Sequence, residues 1–270
     1  MEQHELPPWE EDPLSTFMAN AEHNVRVTAL KWPDVYAIQQ RAHALMARIT
    51  ELIETDPGDV HLVVPRLLIG RSHSAVLAVM RSAMSGQAFE AQLQLRLAIE
   101  EVWYALHVAT DPAPPARAQT WWDRGNNPEA TQECKDEFTV ANVRKTHERL
   151  DPETAAAMRR LYDHTIDLGG HPNQGGVASS LVIDRSEPDA ASVKVGILHA
   201  GTLIALATVK AAVDVAIGFA KTAGLVWPEP FRIAGVDDQI NQLVRHSAEV
   251  FGKRAEGERT RLSGLSAGGC

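Results

Sequence analysis

The sequence predicts an all-α protein, a bundle of about seven or eight helices with one small β-hairpin insertion. Three observations lead there. Apolar residues recur at helical spacing over long stretches, several of those stretches are entered through proline, and β-branched runs between turn-forming residues occur only once, near 180 to 198. At 270 residues and 44% hydrophobic, the chain has enough apolar material for a real core. The expected organisation is a disordered segment over 1–13, a single helical domain over 14–256 and a flexible tail over 257–270.

The N-terminal stretch "MEQHELPPWEEDP" is acidic and proline-rich, with little to bury, and is not a basic start followed by an apolar run as a secretory signal would be. From Pro33 to Thr55 the apolar positions Val35, Ile38, Ala42, Leu45, Ile49 and Ile53 form one helical face, which "DPGD" at 56–59 ends. The residues from Val60 to Thr110 are broken only at Ser85-Gly86, so they read as two long antiparallel helices closed by "DPAPPA". A short helix over Pro115–Arg124 and a longer one over Pro128–Leu150 follow, each starting at a proline. Asp151 then caps a helix whose first residue is Pro152 and which runs into "RRLYDHTIDLGGHPNQGG". Gly169-Gly170 with Pro172 just beyond provide its stop. After the hairpin, helices are expected over Ala200–Ala223 and Val236–Lys253.

The stretch Ala200 to Ala220 is about a bilayer thick by length, but Lys210 and Asp214 sit one turn apart inside it. It is read as a buried or interface helix, with no membrane span, and as the basis for a homo-oligomer. A charge of −9, from 26 basic and 35 acidic residues, repels a phosphate backbone at long range, so general DNA binding is not expected. The cysteines, Cys134 and Cys270, have no paired spacing, which fits a reducing, cytoplasmic setting. No cofactor loop of the familiar glycine-rich kinds is present.

Three constellations could carry chemistry. In the first, Arg159 precedes His164 at the spacing of a nuclease pair, in which arginine holds phosphate and histidine moves a proton. With eleven histidines in the chain, about two such spacings arise by chance, and Arg66 with His73 is another. As metal ligands, His164, Asp167 and His171 lack identifiable further partners, so no metal is expected. In the second, Arg96, Glu100, Trp103 and His107 form one stripe of a helix, beside Tyr104. They could line a ligand pocket, or Arg96 and Glu100 could be an ordinary pair one turn apart. In the third, Trp121 and Trp122 point about 100° apart, so Trp122 could contact a ligand while its neighbour packs.

Taken together, "LQLRLAIEEVWYALHVATDP" at 93–112 and "LYDHTIDLGGHPNQGG" at 161–176 resemble a group of uncharacterised bacterial all-helical proteins. The matching positions are Arg96, Glu100, Tyr104, Tyr162, His171 and Pro172. That group is distantly similar to the HEPN superfamily of helical bundles, many of which are metal-independent RNases or small nucleotide-binding modules in defence systems, often dimers. The resemblance implies a site acting on RNA or a nucleotide, with His171 or His164 as general acid/base and Arg96 and Glu100 beside them. The histidine departs from the superfamily spacing, since His171 falls eleven residues after Arg160. In the alternative, a non-catalytic binding or scaffold module, Trp103, Tyr104 and Trp122 line a pocket, Arg96 receives an anion, and Asn173 hydrogen-bonds beside His171.

Overall fold

In a computed structural model the chain is all-α; residues 11–53, 60–170, 174–187 and 190–267 are described. Among them the α-helical segments number twelve, more than expected, because three are single-turn or two-turn pieces and one expected helix is split.

The first helix, α1 (Pro13–Lys31), covers residues for which periodicity predicted no element. Its start is set by a capping box: Asp12 accepts from the amides of Leu14 and Ser15, and the Ser15 hydroxyl reaches back. α1 buries little apolar surface and docks through polar groups instead. Asn24 donates to the carbonyl of Ser85 at 3.0 Å and Thr28 to that of Met84 at 3.1 Å, satisfying carbonyls at the end of the next long hairpin arm. α2 (Pro33–Leu52) buries the face read from sequence, Val35, Ile38, Ala42, Leu45 and Ile49.

α3 (Val60–Ser85) and α4 (Ala91–Ala109) form the antiparallel pair expected over 60–110, joined at Gly86. Gly86 has φ of +100°, and a Cβ there would lie 2.7 Å from the backbone nitrogens of both His199 and Ala200. The close approach serves a hydrogen bond, His199 N–H to Gly86 O at 2.7 Å, which ties the segment before α10 to this turn.

α5 (Ala116–Trp122), α6 (Pro128–Glu137) and α7 (Val140–Leu150) follow. The single helix expected over 128–150 is thus two. Phe138 is buried, its carbonyl accepts from the Tyr104 hydroxyl at 2.8 Å, and Thr139 caps α7. α8 (Pro152–Thr165) starts at Asp151 as read, but it does not stop sharply at the glycines. It widens into a π turn over Ile166–Gly170 that packs on α4.

α9 (Gln174–Ser179) leads to two paired antiparallel strands, β1 (Leu181–Glu187) and β2 (Ala190–Val195), with Leu181 opposite Val195. The connection at 188–189 lies outside the described residues. α10 (Leu203–Val226) is the central helix, packed against α2, α3, α4 and α8. It is capped by Thr202 and buries Leu206, Val209, Val213, Ala216, Phe219 and Ala223.

α3 and α10 are each long and apolar enough to cross a membrane by length and composition, and 67% of the most apolar window of α10 is buried inside the fold. About two thirds of that window is thus covered by this chain's own helices, while Leu203 and Leu225 of α10 stay exposed. α11 (Pro228–Ala234) ends at Gly235, and α12 (Val236–Ala267) closes the bundle over α2 and α10. α12 continues through Ala267, so most of the expected tail over 257–270 is helix. The 1–13 segment falls largely on residues that are not described, although Pro13 already opens α1.

Candidate functional site

The sequence-stripe on α4 separates into a rim and a core. Arg96 and Glu100 are on the rim, with side chains 28% and 25% exposed. The Arg96 Nε–H donates to Glu100 Oε1 at 2.9 Å, and the Tyr162 hydroxyl of α8 donates to the same oxygen at 2.9 Å. The guanidinium carbon also stands 5.1 Å over the Tyr162 ring, a cation–π contact. Three positions of the family-like pattern therefore touch, beside the π turn that leads towards residue 171. Burial, reinforced by the Glu100 charge, pushes the Tyr162 phenol up to about 12, so it is a donor and not a base at neutral pH. Glu100 in turn holds Arg96 above its ordinary value.

His171 and Asn173 lie outside the described residues. His164 is exposed on α8, and the neighbouring Arg159 turns to Asp163 at 3.6 Å. Tyr104 is half-buried against Phe138, with its phenol raised by burial and by Glu100. Trp122 is 60% exposed on α5, 6.1 Å from the ring of Trp121. Trp103 is fully buried. Its indole N–H donates to Nδ1 of His147 at 3.1 Å, and Nε2 of that histidine meets the Thr222 hydroxyl at 3.4 Å.

His107 is also inside. Nε2 pairs with Glu137 Oε1 at 2.9 Å and Nδ1 with the Thr146 hydroxyl at 2.7 Å. Carboxylate, imidazole and hydroxyl thus follow in the order used for nucleophilic catalysis. The orientation is wrong for attack, because Thr146 is buried while Glu137 is the exposed end. Arg117 donates from Nε to Glu137 at 2.6 Å and from Nη1 to the His107 carbonyl at 3.0 Å. The assembly braces the end of α4 against α5, α6 and α7. Burial, with Arg117 adding, holds His107 below its ordinary pKa. Glu137 is held low, the hydrogen bonds from Arg117 and His107 outweighing the opposing effect of burial.

On the far face of α8 a cavity of about 450 Å³ opens between α8, α10 and α12. Its apolar lining comes from Met158, Leu161, Ile217 and Val244, and its charges from Glu153, Arg160, Lys210, Asp214 and Lys221. Lys210 Nζ lies 2.5 Å from Asp214 Oδ2. Burial pushes the Asp214 carboxyl up, and the Lys210 ammonium offsets part of that. α8 can approach α10 this closely because of Gly218, where a Cβ would lie 2.3 Å from Met158 Sδ. Sequence reasoning noticed Lys210 and Asp214 only as an argument against a membrane span. The same observation, two charges one turn apart in an apolar helix, was the signal for a solvent-facing cavity. Among the described residues no group of three or more histidine, cysteine or acidic side chains could hold a metal.

Compared with known protein families, curated proteins and solved structures, the chain matches none of them.

Proposed function

We propose that the protein is a non-catalytic, ligand-binding helical module whose cavity between α8, α10 and α12 takes a small amphipathic anion. The observation that carries this reading is the Lys210–Asp214 pair, placed with Lys221 on a largely apolar central helix where that helix lines a cavity. Three cations against two carboxylates leave an excess of positive charge over an apolar floor, which suits a carboxylate or phosphate attached to a hydrocarbon or aromatic body. The acid/base groups of α4 are committed to one another or sealed in the core, which favours binding over turnover.

A thermal-shift series with carboxylates of increasing chain length and with nucleotides tests the proposal, read as stabilisation that grows with ligand concentration. A Lys221→Gln variant, which removes a lining charge outside the ion pair, is expected to lose most of that stabilisation. Absence of any concentration-dependent shift in the parent, or an unchanged shift in the variant, overturns it.

A second reading follows the HEPN-like resemblance, a cytoplasmic bacterial protein acting on RNA or a nucleotide through His171 or His164. The contact of Arg96, Glu100 and Tyr162 beside the π turn supports it, since π turns recur at functional sites. If His171→Ala retains every RNA-cleaving or nucleotide-binding property of the parent, that reading fails.

A further inference from the structure

The face where α2 meets α12 has a different chemistry from the α8 cavity, and we infer that it is a second site, a groove that binds a diphosphate. The groove holds about 440 Å³. Its walls are Arg41 and Arg48 from α2 and Gln239, Gln242 and His246 from α12. Its floor is apolar, with Leu45 and Leu243 buried at 4% and 3% exposure.

No carboxylate lines it, in a chain of net charge −9 where Arg71, Arg96, Arg117 and Arg254 each meet an acid. Glu51 on α2 and Asp237, Asp238 and Glu249 on α12 flank the groove in sequence without lining it, and Glu249 is held by Lys253 at 2.7 Å.

The geometry of the two arginines argues for an anion between them. Arg41 Nη1 meets a ring nitrogen of His246, and since a guanidinium has no acceptor, the imidazole accepts there. Arg48 donates from Nη2 to the Ala234 carbonyl at 2.7 Å, which fixes its direction while leaving other N–H groups of its fork for a ligand. The two arginines are two helical turns apart, about 10 Å along the axis by α-helical rise. Two arginines at that spacing along one groove suit two linked phosphates better than one small anion. The glutamine carboxamides add donors. Free pyrophosphate and a nucleoside diphosphate share the recognised chemistry.

The test is calorimetric titration of the full-length protein with sodium pyrophosphate and separately with ADP, at ionic strength fixed by chloride. Saturable binding of pyrophosphate is expected; ADP binding more weakly than pyrophosphate identifies the free anion as the better source, and ADP binding more tightly identifies the nucleotide. Arg41→Gln is expected to weaken both by about tenfold or more, the size of one charge-assisted contact. Arg48→Lys keeps the charge while losing the fork, and is expected to weaken binding without unfolding the α11 end. Lys210→Met, which alters the other cavity, is expected to leave pyrophosphate binding unchanged, so failure of the α8 cavity proposal and failure of this one are separable. The inference is overturned if the parent does not bind pyrophosphate, if Arg41→Gln binds it as tightly, or if only an oligonucleotide binds.

Discussion

The indole N–H of Trp103 points at Nδ1 of His147, 3.1 Å away, with both side chains fully buried. Because indole only donates, Nδ1 must be the bare nitrogen, and Nε2 carries the proton towards Thr222. Burial lowers the His147 pKa from 6.5 to about 4. The unfolded chain therefore binds a proton there at a pH where the folded one does not. This contribution to stability is complete above pH 6.5 and is lost as pH falls from 6.5 to about 4, to the extent of about 3 kcal/mol. Urea denaturation at pH 7 and at pH 4.5 should show a smaller acid loss for His147→Gln than for the parent. Equal losses would mean that His147 does not titrate on unfolding.

Gly218→Ala would drive a methyl group against Met158, itself 1% exposed in the α8–α10 interface. The thioether can shift but has little room, so a cost of about 1–2 kcal/mol is expected, seen as a lowered Tm. A Met158→Ala background should absorb most of it. If the two changes are simply additive, the contact is not what limits that position.

Lys210 and Asp214 should be coupled. Lys210→Met leaves a carboxylate in a site where burial already raises its pKa, whereas Lys210→Met with Asp214→Leu removes both charges. The double variant is expected to be more stable than the Lys210→Met single variant by about 1 kcal/mol in chemical denaturation. A double variant weaker than the single one would show that the pair itself supports the fold.

Tyr162 should ionise late. Of three tyrosines, it is the one raised to about 12, so the ultraviolet phenolate titration of the folded protein should keep a late step that Tyr162→Phe removes. The same substitution takes one donor from the partly exposed Glu100, and a loss of about 1 kcal/mol is expected. No change in the titration would place the phenol in water.

The long apolar helices were legible because one mechanism, burial of a periodic face, decides them: α2, α3, α4 and α10 lie close to where apolar spacing puts them. α1 was not, because it is held by a capping box and by Asn24 and Thr28 at another helix's end, and such bonds leave no periodic trace. The break between α6 and α7 was hidden for a similar reason, since it depends on Tyr104 reaching the Phe138 carbonyl across the fold. At the candidate sites, Arg96 and Glu100 were visible as a pair one turn apart, but Tyr162 as their shared partner needed tertiary structure. The burial of Trp103 was hidden in the same way, since an aromatic residue next to charges on one helix face can turn inward when a histidine on another helix receives its N–H.

The bond from His199 to Gly86 has a consequence for how this chain could tolerate change. The strand-bearing excursion leaves the bundle at a turn packed on α4 and returns at the α3–α4 junction, so both its ends are moored to the same hairpin. Growth or exchange of sequence between β1 and β2 is therefore expected to disturb the core less than the same change inside α4 or α10, which makes that stretch the address to try first for a tag, a label or a foreign loop.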